Sequence, residues 1–326
     1  MRNSFVRAMS EIMDKEERAI LLIGDIGAYL LRDIKSNHPQ RFLNMGVSEA
    51  NMMNVAAGLA LEGWIPFVYT ITSFVTSRCY DQIRVGVGYH GANVKIVGTG
   101  SGVSYSIYGP THHSLEDISL MSSIPGMVVL SPADGPETIE IAWAAAIHRG
   151  PVYIRLMLNV PPIQVQNRGV FEIGKSRLFR DGSDLTLIVT GELVREALGA
   201  AELLQNDGLS ARVINMSTIK PVDVEAVKKA IEETQAIFTI EEHSIIGGLG
   251  SMVASVIAEH RGGKRVIFKR IGIEDCYLNR YGQKSEVYKY LQLDCEGIYK
   301  RIKNEVNASL VLFKKANLPS AYEASS

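Results

Sequence analysis

The sequence predicts an α/β protein made of two α/β domains in series, the first built on a mostly parallel sheet. Three observations carry this. Short apolar runs of buried-strand type alternate with helical segments, the pattern of a parallel sheet covered on both faces. The alternation breaks once, from Asn159-Val160-Pro161-Pro162 to Asn167-Arg168-Gly169, a proline-rich and turn-rich stretch that reads as a linker. The 326 residues, 46% hydrophobic and 21% charged, suffice for two soluble domains with sizeable cores. The limits expected are residues 1–165 and 175–315.

In the first domain, charged and apolar positions mix at helical spacing from about Asn3 to Glu17, an amphipathic helix. Ala19-Ile20-Leu21-Leu22-Ile23 is a buried strand ending in Gly24-Asp25-Ile26-Gly27. Ser48 suits the N-cap of a helix that opens with Glu49 and stays apolar or small from Met52 to Ala60, so that helix should be buried. Gly63 closes it as a C-cap. Strands follow at Trp64 to Tyr69, Val94 to Val97, Met127 to Leu130 and Val152 to Arg155, with helices over Phe74 to Tyr89 and Pro136 to His148. The second domain repeats the alternation. Its strands are Leu185 to Val189, Ala211 to Asn215, Ala236 to Ile240 and Arg265 to Phe268. Its helices are Leu193 to Gln205, Val222 to Glu233 and Ser251 to His260, and a small-residue tail runs from Ser320 to Ser326.

A net charge of -1 gives no case for nucleic acid or an anionic membrane surface as partner. No apolar leader follows Met1 and no long uncharged apolar run occurs, so a cytoplasmic location and no membrane are expected. Cys79, Cys276 and Cys295 are scattered and odd in number, as free thiols in a reducing compartment would be.

Two stretches hold candidate chemistry. In Gly46-Val47-Ser48-Glu49-Ala50-Asn51, one carboxylate stands at the positive end of a buried helix, either as a plain helix-start acid or as a functional group. The run from Gly98 to His113 contains Gly-x-Gly-x-Gly after a strand. Its spacing is wrong for a dinucleotide loop, and Pro110 intervenes before any helix. Loops after strand ends are nevertheless where α/β sheets bind ligands, and His112 and His113 in such a loop suit proton transfer or phosphate contact. Gly247-Gly248-Leu249-Gly250 reads as a turn that lets a helix approach the sheet, and Glu241 and His243 lack further ligands at metal spacing. There is no Gly-x-Ser-x-Gly elbow and no Walker loop.

Taken together, these stretches resemble the transketolase family, specifically its C-terminal half as it occurs in a separate subunit. The resemblance runs from Phe5 to about Lys303. It rests on Gly46 to Asn51, Tyr80-Asp81-Gln82-Ile83-Arg84, Gly98-Thr99-Gly100-Ser101-Gly102, Gly109-Pro110-Thr111-His112-His113, Pro132-Ala133-Asp134, and Glu241-Glu242-His243 with Gly247 to Gly250. It implies a pyrimidine-binding domain followed by the smaller transketolase C-terminal domain, and thiamine diphosphate with Mg2+ bound between two chains. The glutamate matching Glu49 shares a proton with the aminopyrimidine ring nitrogen, and Phe74 matches the ring that stacks on that pyrimidine. Ile71 stands where relatives often carry a second aromatic. His112 matches a histidine that contacts substrate oxygens, with His113 beside it. Arg155 matches an arginine that contacts a substrate phosphate, a structural salt bridge being the alternative. Asp25 falls near the substrate channel.

Two departures bear on specificity. Tyr108 replaces an aspartate that reads a sugar hydroxyl, and Gly100 replaces a histidine. The Gly-Asp-Gly…Asn motif that holds diphosphate and magnesium has no match, since Gly24-Asp25-Ile26 lacks the third glycine and the asparagine. The resemblance therefore implies an obligate partner, the N-terminal-half transketolase subunit, in a heterotetramer acting on sugar phosphates. A deoxyxylulose-phosphate synthase or 2-oxoacid dehydrogenase β-type subunit, or a non-catalytic stabilising subunit, are the alternatives.

Overall fold

The computed structural model describes residues 1–158, 160–165, 168–260 and 266–316, with side chains through residue 308. Asn159, Asn167, Arg265 and the tail from Ser320 to Ser326 lie outside the described residues.

Six parallel strands form the first sheet. In chain order the elements are α1 (Arg2–Lys15), β1 (Ala19–Ile23), α2 (Arg32–Asn37), β2 (Phe42–Asn44), α3 (Glu49–Leu61), β3 (Ile65–Ile71), α4 (Thr72–Thr76), β4 (Lys95–Thr99), α5 (Asp117–Ser122), β5 (Val128–Leu130), α6 (Gly135–Ile147) and β6 (Val152–Leu156). The parallel strands lie in the order β5-β6-β4-β3-β1-β2. Every residue of β1, β4 and β6 is buried, because helices cover both faces of a parallel sheet. On one face α1 and α6 pack Phe5, Met9, Ile12, Ile141 and Ala142 against the strands, with the Phe5 ring stacked on Tyr69 at 5.5 Å. The other face is covered by α3 through Met52, Met53 and Ala56, together with Ile83 and Val87.

The helix expected from Phe74 to Tyr89 divides into α4, a turn, and a π-helical stretch, Gln82–Tyr89. The Thr76 and Ser77 hydroxyls donate back to the Thr72 and Ser73 carbonyls, a local bond that loosens a helix. The wider π-helical stretch also contains Gly88, where a Cβ would come within 2.4 Å of the Ile124 side chain.

The second sheet has the order β12-β11-β8-β9-β7, parallel except for β7 against β9. Its elements are β7 (Arg177–Arg180), β8 (Leu185–Val189), α7 (Leu193–Asn206), β9 (Ala211–Asn215), α8 (Val224–Glu233), β11 (Ala236–Ser244), α9 (Leu249–Glu259), β12 (Ile267–Ile273), α10 (Lys284–Leu291) and α11 (Cys295–Ala316). The remaining strand, β10 (Thr218–Lys220), leaves its own domain and joins the first sheet, antiparallel to β5. Ile219 enters the core beneath that sheet, and Lys220 Nζ donates to the carbonyls of Ser122 and Ile124. β11 runs on to Ser244, past its expected end at Ile240, and so carries Glu241, Glu242 and His243 as strand residues.

Candidate active site

The expected residues gather at the carboxyl edge of the first sheet, where successive strand ends deliver α3, α4 and the Gly-rich loop side by side. Ser48 occupies the N-cap position of α3 but does not cap it. Its backbone lies outside the extended cap conformation, and its hydroxyl donates to the Met45 carbonyl at 2.6 Å. Glu49 opens the helix and is 2% exposed. Its Oε2 accepts from Arg78 Nη1 at 3.2 Å, while Oε1 is buried with no partner. Burial, and after it the Glu49 charge, push the neighbouring Cys79 thiol up to about 12.

The Arg78 guanidinium lies 4.0 Å over the Phe74 ring, a cation–π contact that links Glu49 to the aromatic wall. Phe74 meets His112 edge-on at 5.2 Å between ring centres. His112 in turn packs on Tyr108 at 5.0 Å and Tyr105 at 6.0 Å, and its Nδ1 is 3.0 Å from Thr111 Oγ1. Glu49, Phe74, His112 and Tyr108 thus form one continuous surface, with Arg78 and Tyr105 as members that sequence reasoning missed. Arg78 sits 29 residues from Glu49 on the polar side of an expected helix, and no local pattern signals their pairing. Tyr105 explains the missing histidine at position 100. Gly100 has φ +77°, and a Cβ there would lie 2.0 Å from the Tyr105 ring.

The other expected residues are placed differently. Ile71 ends β3, half-buried, beside the N-terminus of α4. Asp25 is exposed at the end of β1, with φ +55°, and accepts from Asn44 Nδ2 at 2.8 Å. His113 borders a different cavity, of about 500 Å³, with Glu116 and Cys276. It is buried, with its pKa held below the ordinary value chiefly by burial. Arg155 forms the salt bridge that was its structural alternative. Its side chain is 1% exposed, and its Nε donates to Asp117 Oδ2 at 2.7 Å. Its Nη2 serves the carbonyls of Glu242 at 2.9 Å and Ser114 at 3.3 Å.

The Glu241-Glu242-His243 run is likewise structural. The Glu241 carboxylate accepts from the Leu249 and Gly250 N–H groups at 2.7 and 2.9 Å, capping α9 earlier than the expected start at Ser251. Gly248 is needed there because a Cβ would fall 2.0 Å from Glu241 Oε2. His243 is fully buried, its Nδ1 bonded to the Ser244 carbonyl at 2.6 Å. Among the described residues no group of His, Cys, Asp or Glu could hold a metal ion, and no helix is long and apolar enough to cross a membrane.

Comparison with known proteins follows the same division of the chain. Residues 1–159 match the family described as transketolase, pyrimidine binding domain, and residues 174–298 match transketolase, C-terminal domain. A putative transketolase C-terminal section of Methanocaldococcus jannaschii is 41% identical over 309 residues, 94% of this chain and 96% of that one. The 6-deoxy-6-sulfo-D-fructose transketolase subunit of Clostridium sp. is 40% identical over 279 residues, 85% of each chain. A solved structure described as a split gene transketolase, inactive beta4 tetramer, superposes with a TM-score of 0.83 at 33% identity, over 94% of this chain and 97% of that one.

Proposed function

The chain belongs to the transketolase family as the subunit corresponding to its C-terminal half, and on that premise we propose that Glu49, Phe74 and His112 form its share of a thiamine-diphosphate site for two-carbon ketol transfer. The observation that carries this reading is Glu49 itself. A carboxylate oxygen buried without a partner, beside an aromatic ring at the carboxyl edge of a parallel sheet, fits a ring nitrogen that must share a proton.

Thiamine diphosphate, when bound, supplies a nucleophilic thiazolium carbon and an aminopyrimidine that carries its own base. Glu49 would hold the proton at the pyrimidine N1′, the Phe74 face would receive the ring, and Ile71 would form a thinner wall beside it. Arg78 now covers the Phe74 face and pairs with Glu49, so it must swing aside. His112 would hold or move a proton at a sugar oxygen, and the exposed Tyr108 phenol would meet the sugar where relatives place a carboxylate. That substitution supports a sugar preference different from that of ordinary transketolases. Asp25, exposed on the same edge, would stand toward the incoming sugar, and His113 would belong to a more distant part of the site.

The diphosphate and magnesium would be held by an N-terminal-half partner subunit, in a cytoplasmic heterotetramer with the site at the subunit junction. Domain limits near residues 165 and 175 go with this reading. Co-expression of the two halves, followed by screening of ketose phosphate donors against aldose phosphate acceptors with thiamine diphosphate and Mg2+, tests it. Glu49→Ala should cost about 10²–10⁴ in transfer rate, the worth of positioned proton transfer. Full activity of that variant in the reconstituted pair would remove Glu49 from the mechanism. Turnover of pyruvate without any ketose donor would point to a synthase instead.

A further inference from the structure

The Gly98 to His113 stretch is built from glycines in left-handed conformations, at 100, 102 and 109, which makes it costly to order on its own. First-domain bonds hold part of it, Ser101 pairing with the Leu156 carbonyl and with Thr72, and the second domain adds a grip on its base. Gly102 and Ser114 exchange backbone hydrogen bonds at 3.1 and 3.0 Å, closing residues 102–114 into a lobe with a defined base. Glu242, on β11, grips that base. Its Oε1 accepts the Val103 N–H at 2.6 Å, and its Oε2 accepts from the Tyr288 hydroxyl at 2.6 Å with Lys284 Nζ at 3.7 Å. Tyr288 and Lys284 also engage Glu192, so the carboxylate is backed from behind. The Glu242 carbonyl is held by Arg155, whose guanidinium also reaches the Ser114 carbonyl on the other side of the base.

The fit is close enough to dictate residue types. Gly102 has φ +62°, and a Cβ there would come 2.4 Å from Glu242 Oε1. Further out, the Ser106 hydroxyl donates to the Gly282 carbonyl at 2.7 Å. At Gly109, with φ +73°, a Cβ would come 2.4 Å from the Tyr281 ring. The same lobe carries His112, edge-on to Phe74, and Tyr108, packed on His112.

We infer that the second domain sets the substrate-facing lobe, with Glu242 as a positioning residue that acts through Val103 on Tyr108 and His112 and touches neither sugar nor coenzyme. The inference rests on the ketol-transfer reading for its substrate but not for its geometry. Displacement of a reacting group by about 1 Å costs on the order of 10²-fold in rate, so a loosened base should be felt at the sugar. The second domain then has a stated task, which is to reinforce a glycine-rich lobe that the first domain holds only in part.

The test uses the two-subunit complex and the variants Glu242→Ala, Glu242→Gln and Ser106→Ala. Amide hydrogen exchange is measured over residues 103–113 and over the Glu49 helix, alongside KM and kcat for ketose and aldose phosphates and thiamine diphosphate affinity by titration. Glu242→Ala should speed exchange in the lobe by about 10–100-fold and raise the sugar KM about tenfold or more, the worth of a hydrogen bond to a charged group. Ser106→Ala should do the same by about 2–10-fold, the worth of a neutral one. Glu242→Gln keeps an oxygen for the Val103 N–H and should restore the lobe to within a few-fold of wild type. Coenzyme affinity and exchange in the Glu49 helix should not change. Unchanged lobe exchange in both alanine variants overturns the inference, and so does a loosened lobe with unchanged sugar KM. If Glu242→Ala fails to fold, Ser106→Ala decides by the same criteria. Absence of ketol transfer in the wild-type pair, with lobe exchange responding as expected, sinks the activity reading while upholding the clamp.

Discussion

Asp117→Asn should destabilise the chain more than any change at its surface. Asp117 and Arg155 are both fully buried between the first sheet and β11, 2.7 Å apart, and the Tyr153 hydroxyl adds a 2.6 Å bond to the same carboxylate oxygen. An asparagine leaves the guanidinium bonded to the Glu242 and Ser114 carbonyls without its hydrogen-bonded anion, the Glu242 carboxylate acting on it only by charge. Removing one member of a buried ion pair costs about 3–5 kcal/mol, because the survivor stays desolvated. At about 1.4 kcal/mol per factor of ten, that raises the unfolding constant on the order of 10²–10⁴-fold. It is also a large share of the roughly 5–15 kcal/mol that holds a typical domain together. Thermal melting followed by circular dichroism at pH 7 should show a fall of about 6–20 °C, taking about 2–4 °C per kcal/mol. Burial pushes the Asp117 carboxyl up, but the charges of Arg155 and His243 and the bonds from Arg155 and Tyr153 outweigh it and hold it below its ordinary 3.8. A carboxyl depressed in the folded state contributes stability above its unfolded pKa and loses it as pH falls through the folded value. The gap between wild type and variant should therefore hold at pH 7 and shrink below about pH 4. The double variant Asp117→Leu with Arg155→Met removes both charges and should melt above the single. A single variant within about 2 °C of wild type, or a double that melts no higher than the single, would refute the reasoning.

Two other outcomes follow from the geometry. Tyr108→Asp replaces a phenol by a carboxylate that can accept from a sugar hydroxyl, and should reorder the sugars ranked by kcat/KM by about tenfold; an unchanged ranking would remove Tyr108 from substrate contact. Burial holds His243 down to about 4, against the raising effect of the Asp117 charge. The folded state therefore binds fewer protons than the unfolded one between about pH 4 and 6.5, and this histidine's contribution rises with pH by up to about 1.4 kcal/mol per unit. The stability difference between wild type and His243→Gln, measured by urea unfolding, should grow through that window and level off above it, whereas a difference independent of pH would contradict the assignment.

Much of this could be read from the chain because parallel strands covered on both faces leave largely apolar runs, unbroken in Ala19–Ile23 and interrupted only by Thr186 in Leu185–Val189 and by the paired Arg155 in Val152–Leu156. Short edge strands have no such mark. Phe42–Asn44 and Arg177–Arg180 present mixed burial, and Thr218–Lys220 pairs with residues far away in the chain. The candidate site divides in the same way. Glu49 and His112 lie in motifs that local reading can weigh, whereas Phe74 is placed only by the family resemblance. Arg155 pairs with Asp117, 38 positions earlier, and the Glu242 carboxylate takes an N–H 139 positions earlier. Pairings of that kind are set by how two domains meet, and no window of neighbouring residues contains them.

The strand that leaves the second domain for the first also limits how such a chain can be recombined. β10 supplies the outer edge of the first sheet, and the Ser217 carbonyl takes the Ser131 N–H at 2.8 Å. A chimera joined at the linker would give β5 a foreign edge strand, and a fragment ending there would have none. A bare edge of Val128, Val129 and Leu130 is a template for aggregation. Exchange of first domains between relatives should therefore succeed only when residues 217–221 travel with the sheet they complete, although they are inherited inside its neighbour.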